Sequence, residues 1–247
     1  MCLNKLKFRM KNMKSIAWQA GCLLWLGMAV CNCTPASSGE DYASYVNPFI
    51  GTGGHGHTYP GAVVPNGMIQ PSPDTRIFQW DACSGYYYAD STINGFSHTH
   101  LSGTGCGDYG DVLLMPTVGR QDYHAMGKKS QQMAYASPFS HGREKAEPGY
   151  YSVFLNRYGV QAELTSTKRA AIHRYTFPKS GKAGFILDLD YSLQRQKNEE
   201  MKLEVISDTE IRGHKKTVYW LRSIHKLLCQ VLQTVYLYNG DRFHGIG

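Results

Sequence analysis

Cysteine is scarce outside the first 34 residues of this 247-residue sequence, and apolar runs long enough to cross a bilayer are missing. Of the seven cysteines, only Cys83, Cys106 and Cys229 lie beyond residue 34. Three widely spaced cysteines do not build the disulfide framework on which small secreted domains depend. Cys83 and Cys106 either pair in an oxidising compartment or stay free and buried. Charged residues are few, at 18%, while aromatic residues reach 12%, and this balance argues against a disordered chain.

Acidic residues are absent from the first 34 positions, which hold five of the 26 lysines and arginines. The rest of the chain has 21 basic and 19 acidic residues, so its net charge is +2, whereas the whole chain carries +7. A nearly neutral body lacks the basic surface that binds a phosphate backbone, which excludes nucleic acid as a partner. Neither a βαβ rhythm nor a glycine-rich phosphate loop is present, which argues against nucleotide-binding folds.

Residues 1–33 predict a bacterial export signal, because a basic start precedes an apolar run at 16–30. That run is shorter than the roughly 20 residues of a membrane-spanning helix. Cys31 and Cys33 follow it as candidates for lipidation, and residues 34–44 form a linker. The residues before Cys31 match a lipoprotein signal only loosely, so plain secretion stays open. We expect an exported protein of a Gram-negative bacterium, located in the periplasm or attached to the outer membrane as a lipoprotein, which contacts the membrane only through its signal or a lipid anchor.

Residues 45–217 predict an all-β fold, an antiparallel β-sandwich. Apolar and polar residues alternate at 161–165 and 173–177, and turn signals separate such runs at 8–12-residue spacing. Helical periodicity does not persist in this part of the sequence. The predicted strands are 68–70, 85–88, 94–98, 112–116, 150–155, 161–166, 170–177, 184–189, 202–207 and 210–214.

The first unusual segment, residues 47–62, carries five glycines in eleven positions and an H-x-H pair, His55 and His57. His98 and His100 form a second such pair. Alternate residues of a strand share a face, so either pair offers two imidazoles to one metal ion. A third ligand at recognisable spacing is missing from the sequence. Hydrogen-bonding or packing histidines are therefore favoured over a metal site.

Two further segments carry polar chemistry. Trp80 stands beside Asp81 and near Arg76, a composition typical of sugar sites, in which an aromatic ring covers the apolar face of a pyranose. A core tryptophan near a turn is the alternative. Residues 95–111 hold a glycine-rich loop with Asp108, and paired carboxylates can hydrolyse glycosides. Ser102, His100 and Asp108 match no nucleophile elbow in order or spacing.

Together these segments resemble the N-terminal domain of glycoside hydrolase family 92, the calcium-dependent exo-acting α-mannosidases. The resemblance implies a β-sandwich packed on a C-terminal (α/α)6 barrel, with the active site between them. The barrel would carry the catalytic carboxylates and the Ca²⁺ ligands, and hydrolysis of mannose-containing glycans would invert the anomeric centre. The resemblance lies mainly in residues 45–54, 59–75, 80–88 and 95–116, with weaker support at 147–151 and 165–174.

By this resemblance the sandwich supplies loops that complete the sugar pocket. No catalytic residue or metal ligand is assigned to this chain, and no calcium is expected on it alone. Trp80 is the expected platform for the leaving-group sugar. The residues expected to face the sugar are Gly53, Gly54, His55, Asp74, Trp80 and Asp108.

The end of the sequence departs from the family, whose enzymes continue for several hundred residues beyond the sandwich. Residues 218–247 form an atypical leucine-rich, basic tail, which predicts an amphipathic helix near 223–232. Alternatively, with suitably chosen codons, a one-nucleotide shift turns residues 220–236 into a sequence similar to the family's next strand. We then expect a frameshifted or truncated product that lacks the barrel and is inactive alone. A stand-alone carbohydrate-binding module and a structural surface lipoprotein are the alternatives.

Overall fold

Short antiparallel strands make up nearly all regular structure in the computed structural model, which describes residues 40–121, 131–180, 182–207, 209–218 and the strand backbone at 229–236. Helical segments within these ranges are single 3-10 turns at Tyr42–Tyr45, Trp80–Ala82, His141–Arg143 and Leu193–Arg195. The strands are β1 (Ser72–Asp74), β2 (Thr92–Ile93), β3 (Gly95–Ser97), β4 (Leu113–Val118), β5 (Ser137–Pro138), β6 (Glu144–Glu147), β7 (Tyr150–Leu155), β8 (Val160–Ser166), β9 (Ala171–Thr176), β10 (Ala183–Asp188), β11 (Lys197–Ser207), β12 (Glu210–Val218) and β13 (Cys229–Tyr236).

Two four-stranded sheets form the body of the domain. One has the order β1-β3-β4-β10, and the other is the meander β6-β7-β8-β9. In β8 the residues Val160, Ala162 and Leu164 are buried, while the residues between them are partly exposed. This alternation is the one that the sequence predicts, and it turns one face of the meander towards the core.

Both sheets contribute to a single apolar cluster, which makes the architecture a sandwich. Burial of each large apolar side chain contributes roughly 1.5–3 kcal/mol. The antiparallel β-sandwich predicted from the sequence is thereby confirmed. The cluster takes Phe96, Leu113, Met115 and Ile186 from the first sheet, and Tyr151, Val153, Leu155, Val160, Ala162 and Leu164 from the meander.

A third sheet, of order β11-β12-β13, lies at the C-terminal end of the described chain. The side chains of β11 are largely exposed, whereas Lys215 and Thr217 of β12 are buried. The predicted helix near 223–232 is wrong at its C-terminal end, because Cys229 onwards pairs with β12 as strand β13. Hydrogen bonding to a neighbouring strand has overridden the local helical pattern there.

Two other predicted strands are wrong: residues 68–70 and 85–88 lie outside the ladders. They are held instead by isolated bonds, such as Met68 N to Lys168 O at 2.7 Å and Gln70 N to His98 O at 2.8 Å. The predictions for the signal, the linker up to residue 39, Cys31 and Cys33 lie outside the described residues. No helix within the described ranges has the length and apolarity to cross a membrane.

Candidate functional site

The glycine-rich segment 51–57 folds into a tight loop at the surface. Thr58 N donates to Gly51 O at 3.2 Å and closes it. Gly56 packs so tightly under Gly51 that a Cβ at position 56 would lie 2.2 Å from the Gly51 carbonyl oxygen. Glycine is therefore required there, and the loop presents Gly53, Gly54 and His55 to solvent.

Trp80 begins the 3-10 turn Trp80–Ala82 and is 57% exposed. The His57 ring meets it edge-on, with centroids 4.4 Å apart, and the His55 ring lies 5.2 Å away. These two imidazoles fix the orientation of the indole while much of its surface stays accessible. A fixed, exposed aromatic ring is a suitable surface for the apolar face of a sugar.

The third segment, residues 103–111, is fastened to the other two through His57. Gly103 N donates to His57 O at 2.6 Å, and Ser84 Oγ donates to the same carbonyl. A Cβ built on Gly105 would lie 3.3 Å from Trp80 Nε1, so this glycine packs directly against the indole. We call residues 51–57, 80–82 and 103–111 the loop cluster.

The carboxylates around the loop cluster differ sharply in exposure. Asp81 is partly exposed and accepts a bond from His55 Nδ1 at 2.6 Å. Asp74 is fully buried and contacts His100 Nε2 at 2.9 Å. Asp108 is 1% exposed, and Gln196 Nε2 donates to it at 3.4 Å. Asp81 is thus the accessible carboxylate of the three, and the other two support the loops from within.

Neighbouring polar groups are occupied by structural contacts. The Arg76 guanidinium forms a bidentate pair with Asp90 at 2.6–2.9 Å and lies over the Tyr87 ring. His100 contacts Ser97 Oγ at 3.0 Å in addition to Asp74, and therefore does not form a triad with Asp108.

The two H-x-H pairs have different environments. His55 and His57 form the hydrogen-bonding and packing contacts that the sequence favours, and the fold also brings Asp81 to them. His98 is buried, with Nδ1 2.6 Å from Val112 O, and its ring packs on His173. Burial lowers the pKa of His98 to about 4. His98 is therefore a neutral core residue near neutral pH.

Cys83, next to the loop cluster, and Cys106, within it, are free thiols. Cys83 is buried, and this burial raises the pKa of its thiol. Of the alternatives left open by the sequence, the structure has the free form. The raised pKa makes Cys83 a poor nucleophile.

Fold and loops together define a β-sandwich domain with a polar, tryptophan-bearing surface. Residues 45–238 match the glycosyl hydrolase family 92 N-terminal domain. This match covers well over half of the chain. The chain therefore belongs to glycoside hydrolase family 92, and the matched segment is the N-terminal domain.

Individual relatives agree with this assignment. A family GH92 α-mannosidase of Bacteroides thetaiotaomicron, solved with mannoimidazole, is 38% identical with a TM-score of 0.71, and the match covers 83% of this chain and 28% of that one. An inverting mannosidase of the same organism is 32% identical with a TM-score of 0.55, and the match covers 70% of this chain and 22% of that one. An uncharacterized secreted glycosidase of Arthroderma benhamiae is 34% identical over 67% of this chain and 21% of the relative. The chain thus spans less than a third of the length of these relatives.

The structure brings most of the sequence-derived site residues into the loop cluster, but with unequal access. Trp80, His55, Gly53 and Gly54 are exposed, whereas Asp74 and Asp108 are buried. That these residues bind sugar stays a prediction. The sequence alone did not predict that Asp81 lies close to His55 and His57. The adjacency of Trp80 and Asp81 was the available signal for it.

Proposed function

We propose that this chain is the carbohydrate-facing domain of an exported α-mannosidase that removes mannose from glycans with inversion. The observation that carries the proposal is the position of Trp80, which is fixed by two imidazoles and 57% exposed at the loop cluster. An exposed tryptophan beside histidine and carboxylate groups supplies both the stacking surface and the hydrogen-bonding rim that a pyranose needs. The family membership agrees with this chemistry.

Hydrolysis itself requires more than the loop cluster offers. An inverting glycosidase places two carboxyl groups about 6.5–9.5 Å apart, one on each side of the scissile bond. Of Asp74, Asp81 and Asp108, only Asp81 reaches solvent. We therefore assign this domain to substrate binding, and we expect the catalytic acid and base to come from a separate catalytic domain.

The calcium of the family is also assigned elsewhere in this proposal. Ca²⁺ takes six to eight oxygen ligands. The one group within the described residues whose geometry could hold a metal ion comprises His55, His57 and Asp81, so two of its three donors are nitrogen. This set does not fit calcium, and we derive no catalytic step through that ion here.

A titration of the purified full chain with an α-mannobiose, followed by NMR, tests the sugar-binding role. We expect weak binding that is lost in Trp80→Ala, because the exposed indole supplies the stacking surface. Tyr45→Ala is the matched control, since Tyr45 is an exposed aromatic outside the loop cluster. Equal binding by both variants would contradict the role of Trp80. Tight binding by the chain alone would instead indicate a stand-alone carbohydrate-binding module.

A mannose-release assay tests the division of labour. The purified chain is expected to release no mannose from α-mannosides, with or without added Ca²⁺. Calcium-dependent release by this polypeptide would overturn the assignment of the catalytic groups to another domain.

Export belongs to the same proposal, with residues 1–33 as the signal and Cys31 or Cys33 as the lipidated residue. Support comes from the basic and apolar pattern of the signal and from the fungal relative described as secreted. Labelled palmitate fed to expressing bacteria should enter the protein. Separate Cys31→Ala and Cys33→Ala variants identify the acceptor, and retention of label in the double variant would argue against lipidation at either position.

A further inference from the structure

Three metal-ligating side chains meet at the rim of the loop cluster. The ligand atoms of His55, His57 and Asp81 all lie within 4.8 Å of one another. His55 and His57 come from one loop, and Asp81 comes from the 3-10 turn that follows 24 residues later. The fold thus supplies the third ligand that spacing along the sequence does not reveal.

An independent observation at His57 points to a ligand. This residue is 7% exposed, and its Nε2 has no hydrogen-bond partner within the described part of the chain. A buried polar atom without a partner loses its hydration without compensation. Coordination of a cation by His57 Nε2 would compensate for that loss.

We propose that His55, His57 and Asp81 bind a divalent transition-metal ion of the Zn²⁺ class. Imidazole nitrogens and one carboxylate are the ligands that such ions prefer, whereas Ca²⁺ and Mg²⁺ prefer oxygen alone. This site is separate from the calcium expected for the family, and it does not depend on the proposed mannosidase role.

Zinc binding requires the three donor atoms, which lie within 4.8 Å of one another, to rearrange by up to about 1.4 Å. Donor atoms around tetrahedral zinc lie about 3.4 Å apart, given metal–ligand distances of about 2.0–2.1 Å. The His55 Nδ1–Asp81 Oδ1 contact of 2.6 Å must therefore open by somewhat less than an ångström. The His55 side chain is 74% exposed, so solvent leaves it room to move. Three protein ligands leave a fourth position for water or another small ligand.

Zinc titration of the reduced full chain against a chromophoric chelator tests the proposal. We expect His55→Gln and Asp81→Asn each to weaken one equivalent of Zn²⁺ binding by more than about tenfold. The matched control is His214→Gln, because His214 also contacts a carboxylate, Glu200, at 2.7 Å but lies outside the three-donor group. Metal-free melting temperatures should be unchanged in His55→Gln, since that side chain is exposed.

Identical zinc stoichiometry and affinity in the wild type, His55→Gln and Asp81→Asn would overturn the proposal. Displacement of the zinc by an equal concentration of Ca²⁺ would overturn it as well, because it would indicate an oxygen-type site. A spectroscopic readout is independent of affinity: Co²⁺ bound here should quench Trp80 emission, since the His57 ring lies 4.4 Å from the indole. Retained quenching in Trp80→Phe would place the cobalt elsewhere and contradict the site.

Discussion

Lys215 Nζ lies 2.9 Å from Asp111 Oδ1, and neither side chain is exposed to solvent. Lys215 also donates to the Tyr191 carbonyl, and Thr217 Oγ1 donates to the same Asp111 oxygen at 3.3 Å. Asp111 ends the glycine-rich segment that carries Asp108. The pair therefore joins β12 of the third sheet to the base of the loop cluster.

Lys215→Met should destabilise the domain by about 3–5 kcal/mol, because it leaves the buried Asp111 carboxylate without its cation. Lys216→Met is the matched control. Lys216 pairs with Glu199 at 3.0 Å, but that pair is partly exposed, and such pairs contribute about 0–1 kcal/mol. Urea unfolding followed by circular dichroism measures both. Equal effects of the two substitutions would show that burial does not strengthen the first pair.

Gly85→Ala should destabilise the domain by about 2–5 kcal/mol, which combines backbone strain with overpacking. Gly85 has φ +93°, and a Cβ there would lie 2.1 Å from Asp74 Oδ1. The buried Asp74 carboxylate cannot move away without losing its contact with His100. Gly54→Ala isolates the backbone contribution, because Gly54 has φ +55° and open space around it. Thermal unfolding should separate the two variants by several degrees, and coincident curves would contradict the predicted clash.

Stability should fall as the pH drops from about 6.5 to about 4, the window between the ordinary histidine pKa and the burial-lowered pKa of His98. Above this window His98 is neutral in both the folded and the unfolded chain. Within it the unfolded chain binds a proton that the folded chain resists, so protonation favours unfolding. At pH 4.5 this effect of His98 lowers the free energy of unfolding by about 2–3 kcal/mol relative to pH 7. Burial lowers the pKa of the neighbouring His173 in the same direction.

Denaturant midpoints at pH 7 and pH 4.5 measure this effect. His98→Gln keeps a donor for the Val112 carbonyl and removes the titrating ring, so its stability should change less between the two pH values than that of the wild type. A His98→Gln variant as acid-sensitive as the wild type would contradict the assignment.

Tyr151→Phe should destabilise the domain by about 1.5–3 kcal/mol, because the buried Tyr151 hydroxyl donates to the Glu144 carboxylate at 2.6 Å. Tyr150→Phe provides the comparison on the same strand. Its hydroxyl donates to Glu163 at 2.9 Å in a more exposed setting, so the expected loss is smaller. Chemical denaturation of the two variants measures the free energy of unfolding that each one loses. A larger loss in Tyr150→Phe than in Tyr151→Phe would contradict the prediction.

Sequence patterns predicted β7, β8 and β9 of the meander best, whereas β6 was not predicted. β7 has the predicted bounds and β8 begins one residue earlier than predicted, and the alternation of β8 reflects a sheet with one face buried. The sequence also predicts a strand at residues 85–88, yet these residues are held by single contacts such as Tyr87 N to Thr75 Oγ1 at 2.9 Å. Local composition predicts extended backbone there but not a partner strand.

The candidate site was predictable in composition and not in geometry. Trp80 and the glycine-rich loops stand out in the sequence because their residue types are unusual there. The approach of Asp81 to His55 and the contact of buried Asp74 with His100 each join residues 26 apart in the chain, and buried Asp108 contacts Gln196, 88 residues away. Periodicity carries no information about such contacts, since they arise only when the sheets and loops pack.

The His57 carbonyl accepts hydrogen bonds from both Gly103 N and Ser84 Oγ, so contacts with this one main-chain oxygen set the spacing of the segments in the loop cluster. The side chains of His55, Trp80 and the partly exposed Asp81 take no part in those bonds. Their chemistry can therefore be exchanged while the shape of the rim is retained. This makes the loop cluster a practical scaffold for engineering, in which these three positions can be randomised without rebuilding the backbone that presents them.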